Sequence, residues 1–176
     1  MPRPERAPPR DRAVNEDAAS SALAFVAWSR VWSPLPPEAQ RAEAWEMLEL
    51  PAPYPRYRTA FWSTFHAGAP SPRVPLLLHA ALGREGAAVR EDWMRVIAHL
   101  QLRWNETHLP PDHLGADCEV YACAIERGEP VLIEELRRRY LLPWCEVASE
   151  RLGSGADGLA TLPARFAADL AAVRRD

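Results

Sequence analysis

Residues 112–128 read DHLGADCEVYACAIERG and have the spacing of a helix that begins directly after a pair of prolines. Asp112 follows Pro110 and Pro111, and an aspartate in that place is a good N-cap. Apolar side chains then recur at the 3.6-residue period that gathers them on one side of a helix. These side chains are Leu114, Cys118, Tyr121, Ala122 and Ile125. Gly128 marks the expected end of the helix.

Helical patterns also fill the segments on both sides of this stretch. They cover residues 15–32, 36–50, 56–68, 76–83, 87–104, 129–153 and 159–175. Prolines separate several of them, and no alternating β pattern of useful length occurs. The sequence therefore predicts an all-α fold, a single compact helical domain of about seven to eight helices over residues 15–176. Residues 1–14, rich in proline and charge, are predicted to be a disordered tail.

Several of these helices carry more detailed predictions. In residues 15–32 an approximate apolar face is formed by Leu23, Val26, Trp28 and Val31. In residues 87–104 the apolar period runs from Val89 to Trp104, which predicts one helix through the whole segment. In residues 129–153 the helix is interrupted at Pro143, where a kink is expected.

Composition and charge exclude several classes of protein. The chain has 176 residues and a net charge of -3, which does not indicate a general nucleic-acid binder. It contains no lysine, so Schiff-base and P-loop lysine chemistry is excluded. The three cysteines form no CxxC pair, which favours a reducing compartment over a disulfide framework. No apolar run is long enough for a membrane span, and the N-terminus lacks the apolar region of a signal peptide.

Residues 108–119, HLPPDHLGADCE, allow three interpretations: a metal site, a catalytic base and a structural helix start. His113 and Asp117 lie four residues apart and would share a helix face, as two metal ligands can. No second cluster of ligands occurs elsewhere, and no nucleophile motif accompanies the acid–histidine pair. In the structural interpretation, Asp112 caps the helix and His113 bonds to a local backbone carbonyl.

Residues 103–152 resemble the TorD/DmsD/NarJ-like family of cytoplasmic molybdoenzyme chaperones, also called redox enzyme maturation proteins. The family's loop of proline, aspartate, histidine and a hydrophobic residue is matched by Pro110, Asp112, His113 and Leu114. Its later glycine, and its aromatic residue with a hydrophobic pair and Pro-Trp, are matched by Gly128 and by residues 140–144, YLLPW. Residues 57–76 look like the family's aromatic helix end and proline-rich loop, and the resemblance covers roughly residues 20–172 in order.

The resemblance implies an all-α, system-specific chaperone of the cytoplasm that catalyses no reaction and holds no cofactor or metal. Its partner would be the catalytic subunit of a molybdopterin oxidoreductase, and the bound part an N-terminal segment, often a twin-arginine signal peptide. The client-peptide-binding residues would be Asp112, His113, Pro111, Tyr57, Trp62, Phe65, Glu119 and Asp117. The alternative is an all-α metal-binding protein or hydrolase that uses Asp112, His113 and Asp117. Relatives in the family also imply a monomer or a helix-exchanged homodimer, for which residues 154–158, SGADG, are a plausible hinge.

Charge gives two further expectations. Glu106, Asp112, Asp117 and Glu119 make the surroundings of the loop acidic, and such a patch would steer a basic client segment toward it. The run at residues 137–139, RRR, is expected to be a solvated face.

Overall fold

The computed structural model describes residues 9–104, 109–153 and 158–173, with side chains described from Ala18 onward. Its helices are α1 (Pro9–Trp32), α2 (Glu38–Met47), α3 (Tyr54–Phe65), α4 (Leu78–Leu82), α5 (Gly86–His99), α6 (Leu114–Glu126), α7 (Pro130–Leu136), α8 (Leu142–Leu152) and α9 (Thr161–Ala172). A π-helical turn, Arg137–Leu141, joins α7 to α8 without a break.

The all-α prediction is confirmed for the described residues. They contain no strand, and their only isolated β-bridge is an antiparallel one between Leu77 and His113. When α7, the π-helical turn and α8 are counted as one bent helix, the described part holds eight helices. No helix there combines the length and the apolar character that crossing a membrane requires. Helix α1 begins at Pro9, inside the predicted tail, and residues 1–8 lie outside the described part.

Helices α1 and α6 form the most extensive helix pair of the described structure and run antiparallel. Near one end, a Cβ atom added to Gly115 would lie 3.0 Å from the backbone nitrogen of Ser33. One turn further, the Ser29 hydroxyl donates a hydrogen bond to Glu119 Oε1 at 2.8 Å. The rings of Phe25 and Tyr121 then meet edge to face, with centroids 4.7 Å apart. Gly115, Ser33 and Ser29 are small residues, and they allow the two helices to approach this closely.

The apolar face predicted for the first helix is partly wrong. Leu23 is 55% exposed, whereas Ala22 and Phe25 are buried. The face of α1 that packs against the rest of the protein therefore contains Ala22 and Phe25 and does not contain Leu23. Helix α6 itself is buried on nearly every side, not only along the predicted face.

Aromatic side chains fill the centre of the described structure. The ring of Trp32 lies 5.2 Å from that of Trp28, 5.2 Å from that of Trp144 and 5.3 Å from that of Phe65. All four side chains are at most 1% exposed. Truncating a buried ring of this size costs about 3–5 kcal/mol. Through these ring contacts, α1 packs against both α3 and α8.

The predicted interruption at Pro143 is a π-helical turn. Proline at the start of α8 has no N–H to donate, and the preceding residues widen into the Arg137–Leu141 turn. The expected solvated face of residues 137–139 is wrong for Arg137, which is only 4% exposed. Its Nη1 donates to the carbonyl of Leu170 near the end of α9, and its Nη2 is paired with Glu134. Arg137 therefore ties the π-helical turn to α9.

The helix predicted through Trp104 ends earlier. Helix α5 stops at His99, with Leu100 as its C-cap, and Gln101 then has a positive φ of 50°. Trp104 lies beyond the helix and is half-buried. Residues 102–104 and Leu109 lie beside α1 and α6, where they line the cleft described below.

Candidate functional site

Asp112 is not the N-cap of α6 but joins two loops. The backbone N–H of Leu78 donates to the Asp112 carbonyl at 2.9 Å, and the N–H of Leu114 donates to the Leu76 carbonyl at 2.8 Å. These two bonds hold the start of α4 against the start of α6. The prediction that Asp112 is an N-cap is wrong because the tertiary structure supplies other donors to its carboxylate.

The carboxylate of Asp112 is fully buried and receives three bonds. Arg90 Nε donates to Oδ1 at 3.1 Å. His79 bonds to Oδ2 through Nδ1, and its backbone N–H lies 3.3 Å from the same oxygen. A buried charge needs such partners, since an unpaired carboxylate inside a protein is very costly. The carboxylate is therefore engaged in structural contacts.

His113 is the N-cap of α6. The backbone N–H of Gly115 donates to its Nδ1 at 3.1 Å, so Nδ1 acts as the acceptor in the cap. The side chain thus accepts from a backbone N–H, whereas the structural interpretation had it bond to a backbone carbonyl. His113 is only 7% exposed and Asp112 is fully buried, so neither side chain is presented at the surface. Burial lowers the pKa of His113 to about 4, although Asp112 acts in the opposite direction.

Asp117, one turn after His113 on α6, is fully buried. Neither of its carboxylate oxygens has a hydrogen-bond partner among the described residues. Burial, and next the negative charge of Asp112, raise the pKa of Asp117 well above its usual range. A carboxyl group in these surroundings is stable in its neutral form.

A half-buried histidine, His66, also lies near this helix start. Burial, then the charges of His113 and Arg41, lower the pKa of His66 to about 3. Arg41 is itself 2% exposed and donates from Nη2 to the Ser33 carbonyl at 2.5 Å, which satisfies the end of α1. The rings of His66 and Trp62 lie 4.4 Å apart. Arg41 is thus held inside the fold, whereas His66 and Trp62 are half-buried.

The aromatic residues predicted to bind a peptide have separate surroundings. Phe65 belongs to the buried cluster. Tyr57 is half-buried and stacks on Trp45 with centroids 5.8 Å apart. Trp62 is half-buried and donates from Nε1 to the Tyr54 hydroxyl at 3.1 Å.

Of the predicted polar site residues, only Glu119 is exposed. Pro111 is half-buried, and Asp112, His113 and Asp117 are buried. The predicted acidic patch is therefore wrong for Asp112 and Asp117, and Glu106 lies outside the described residues.

Glu119 borders an open cleft, which we call the α1–α6 cleft. It has a volume of about 330 Å³, at the lower end of the range typical of ligand pockets. Its lining comes from α1, the loop after it, the end of α5 with the chain that follows, and α6. The lining residues are Ser29, Arg30, Ser33, Leu35, Pro36, Ile97, Leu102, Arg103, Trp104, Leu109, Ala116, Glu119, Val120 and Cys123.

The cleft combines an apolar wall with a few charges. Leu35 lines the cleft and is 50% exposed, so it adds apolar surface that a bound segment could cover. Glu119 is held in place by the Ser29 hydroxyl. Arg30 and Arg103 form no ion pair with any described residue. The cleft can therefore bind a segment that carries apolar side chains together with charged groups.

Sequence reasoning missed this cleft apart from Glu119. The available signals were Ser29 and Ser33, four residues apart on α1, and Ala116 on α6. Small residues at such spacing allow close helix packing. The sequence does not reveal that the chain after α5 crosses the same place.

A metal site built on the acid–histidine stretch is not supported by the described side chains. No group of three or more histidine, cysteine, aspartate or glutamate residues among them is arranged to hold a metal ion. The two carboxylate oxygens of Asp112 and Nδ1 of His113 are engaged in the hydrogen bonds described above.

Comparison of the chain with protein-family models gives no match, and comparisons with curated proteins and with solved structures give none either. Over the described residues, the fold and the cleft define an all-α protein with an open, mainly apolar cleft.

Proposed function

We propose that this protein is a cytoplasmic chaperone that binds the N-terminal segment of the catalytic subunit of a molybdopterin oxidoreductase. The segment would lie in the α1–α6 cleft and be held there before cofactor insertion and export or assembly. The observation that carries the proposal is the joining, in one open cleft, of an exposed apolar rim and the anchored carboxylate of Glu119. The resemblance of residues 103–152 to molybdoenzyme chaperones supplies the class of client.

The physical argument is that of segment-in-groove recognition. A client segment with basic residues followed by apolar ones needs apolar surface to bury and a carboxylate to pair with a guanidinium. Leu35 and Trp104 supply partly exposed apolar area, and Glu119 supplies the carboxylate. A volume of about 330 Å³ accommodates a few side chains of a segment and not a folded domain.

The proposal assigns binding to the cleft in place of the buried acid–histidine pair. Asp112 and His113 would act indirectly, because they fix the start of α6 and thereby the position of Glu119. Phe65 and Asp117 are buried and would have no contact with the client. No reaction is part of the proposal.

Binding of synthetic N-terminal segments of molybdoenzyme catalytic subunits from the same genome tests the proposal. Fluorescence anisotropy would measure the affinity of each labelled peptide for the full chain. We expect at least one segment to bind, and Leu35→Glu to weaken that binding by about tenfold or more, since it places a charge in the apolar contact. Val131→Glu is the matched control, because Val131 is 77% exposed on α7, outside the cleft.

A set of segments that all fail to bind would contradict the proposed function. Equal affinity losses in the Leu35 and Val131 variants would place binding elsewhere on the molecule. Both variants change an exposed residue, so circular dichroism should show unchanged folding for each.

A further inference from the structure

Three charged side chains line the α1–α6 cleft, and they come from three separate segments. Arg30 lies on α1, Glu119 on α6, and Arg103 on the chain that follows α5. Arg30 is half-buried, whereas Arg103 and Glu119 are exposed. All three border the same cavity of about 330 Å³, so a bound segment of a few residues can reach each of them.

The negative charge of the cleft is held in place by a neighbouring helix. Glu119 Oε1 accepts a hydrogen bond from the Ser29 hydroxyl at 2.8 Å, and Ser29 is only 2% exposed. The second oxygen of this carboxylate accepts no hydrogen bond from any residue that the structure describes. Glu119 therefore has a fixed position and keeps one oxygen for a donor on a bound segment.

The two positive charges of the cleft have no acceptor. Neither Arg30 nor Arg103 forms an ion pair or a hydrogen bond through its guanidinium with the described part of the chain. Most of the other described arginines bond to a carboxylate or to a backbone carbonyl, as Arg90 and Arg127 do. A guanidinium carries five N–H donors in a planar fork that matches the two oxygens of a carboxylate.

The end of α1 accounts for only part of this arrangement. A cation in the last turn of a helix is favoured by the helix dipole, and Arg30 occupies that turn. The dipole supplies no acceptor for the guanidinium N–H groups, and Arg103 lies outside the helices. Two guanidiniums from different segments thus border one cavity, and both lack an acceptor there.

The charge of the cleft decides which segment fits it. Its lining holds two cations and one anion, and the remaining side chains are mostly apolar. A segment with only basic and apolar residues pairs with Glu119 and is repelled by both guanidiniums. Such a segment would also cover the guanidiniums without giving them an acceptor, which is unfavourable. A carboxylate on the segment removes both penalties through charge-assisted hydrogen bonds.

We infer that the segment bound in the α1–α6 cleft presents an acidic side chain, Asp or Glu, to Arg30 and Arg103. This inference rests on the proposed function and adds an acid to the apolar and basic residues of the client segment. The carboxylate belongs to a side chain, because an N-terminal segment of a longer subunit contains no free α-carboxylate.

Matched synthetic peptides test the acidic residue. Each peptide is acetylated and amidated at its ends, which removes the terminal charges, and combines one arginine with a leucine–alanine run. Glutamate stands before the run in one peptide and after it in another, and glutamine takes the same place in their two controls. Fluorescence anisotropy measures the affinity of each labelled peptide for the full chain. We expect at least one glutamate peptide to bind several-fold more tightly than its glutamine control.

Variants of the two arginines assign the preference to the cleft. Arg30→Gln with Arg103→Gln should abolish the preference for glutamate, and Arg103→Gln alone should reduce it. Arg30→Glu with Arg103→Glu should reverse it, so that a peptide with lysine in the same place binds more tightly than the glutamate peptide. Arg56→Gln with Arg138→Gln is the matched control, because it removes the same charge from exposed residues outside the cleft lining. The control should keep the preference, and circular dichroism should show unchanged folding for every variant.

Several results would overturn the inference. They are equal binding of glutamate and glutamine peptides, glutamate peptides that do not bind, a preference that persists without both cleft arginines, and a preference lost equally in the control variant. A glutamine peptide that gains the same affinity from a free C-terminal carboxylate would assign the arginines to a chain end and contradict the side-chain contact. Genomic client segments that bind regardless of their acidic residues would contradict this inference alone, whereas the failure of all such segments would contradict the proposed function.

Discussion

Replacing Asp112 with alanine should destabilise the fold more than any surface change in this chain. The carboxylate is fully buried and accepts bonds from Arg90 Nε and from the side chain and backbone N–H of His79. Removing it leaves these donors without their acceptor and opens a small cavity between α4, α5 and α6. The backbone bond from Leu78 to the Asp112 carbonyl is kept in the variant.

The expected magnitude follows from the exposure of the partners. Removing one member of a buried charged pair costs about 3–5 kcal/mol when the other member stays buried. Here the side chains of His79 and Arg90 are 21% and 43% exposed, so water can solvate part of what the carboxylate had bonded. The loss in the free energy of unfolding should therefore be about 2–4 kcal/mol.

Urea unfolding at pH 7, followed by the fluorescence of the seven tryptophans, measures this loss. The midpoint should fall while the slope stays constant, as for a change confined to stability. Arg95→Ala is the control, because Arg95 is exposed and pairs with Glu91 and Asp92 on the surface. We expect its effect to stay within about 0.5 kcal/mol.

A double-mutant cycle between Asp112→Ala and Arg90→Ala separates the ion pair from the cavity. Coupled residues show an interaction energy of about 0.5–3 kcal/mol in such a cycle. A loss for Asp112→Ala no larger than that of Arg95→Ala, together with no coupling to Arg90, would refute the structural role assigned to Asp112.

Three further predictions concern the start of α6. Gly115→Ala should cost about 1–3 kcal/mol, read from the urea midpoint, because its Cβ would lie 3.0 Å from the backbone nitrogen of Ser33; a neutral effect would mean that the helices are not so close. His113 and His66 have pKa values lowered to about 4 and about 3 from 6.5, so the unfolded chain binds protons that the folded chain excludes. Stability should therefore fall as the pH drops from about 6.5 toward 4, and His113→Asn should flatten that fall in urea titrations at several pH values. The pKa of Asp117 is raised, so its contribution has the opposite sign, and Asp117→Asn should gain stability relative to the wild type as the pH rises above about 4; parallel curves for the two proteins would contradict this.

The helices themselves were predictable because local sequence features indicate each of them. Proline and glycine separate the segments, and the 3.6-residue period of apolar side chains recurs in most of them. Errors arose where tertiary packing overrode the local pattern. The apolar period continues to Trp104, but α5 ends at His99, and Gln101 then takes a positive φ of 50°. Leu23 fits the apolar pattern of α1 but lies outside the contact with α6.

The candidate site was less predictable than the fold. Asp112 and His113 were predicted to bind the client from the family resemblance and from their place in a loop, where polar residues are commonly functional. Burial cannot be read from the order of residues, and the structure places both side chains inside. Glu119 is the one predicted residue that reaches the cleft.

The sequence by itself determined the all-α fold and the positions of most helix ends, because these depend on neighbours a few residues away. Only the tertiary structure decided that Asp112 joins two loops, that Arg137 is buried against α9, and where the open cleft lies. Those features depend on donors, acceptors and surfaces contributed by segments far apart in the chain. Arg90 and His79 reach Asp112 across more than 20 intervening residues, and such pairings arise only when whole helices have packed.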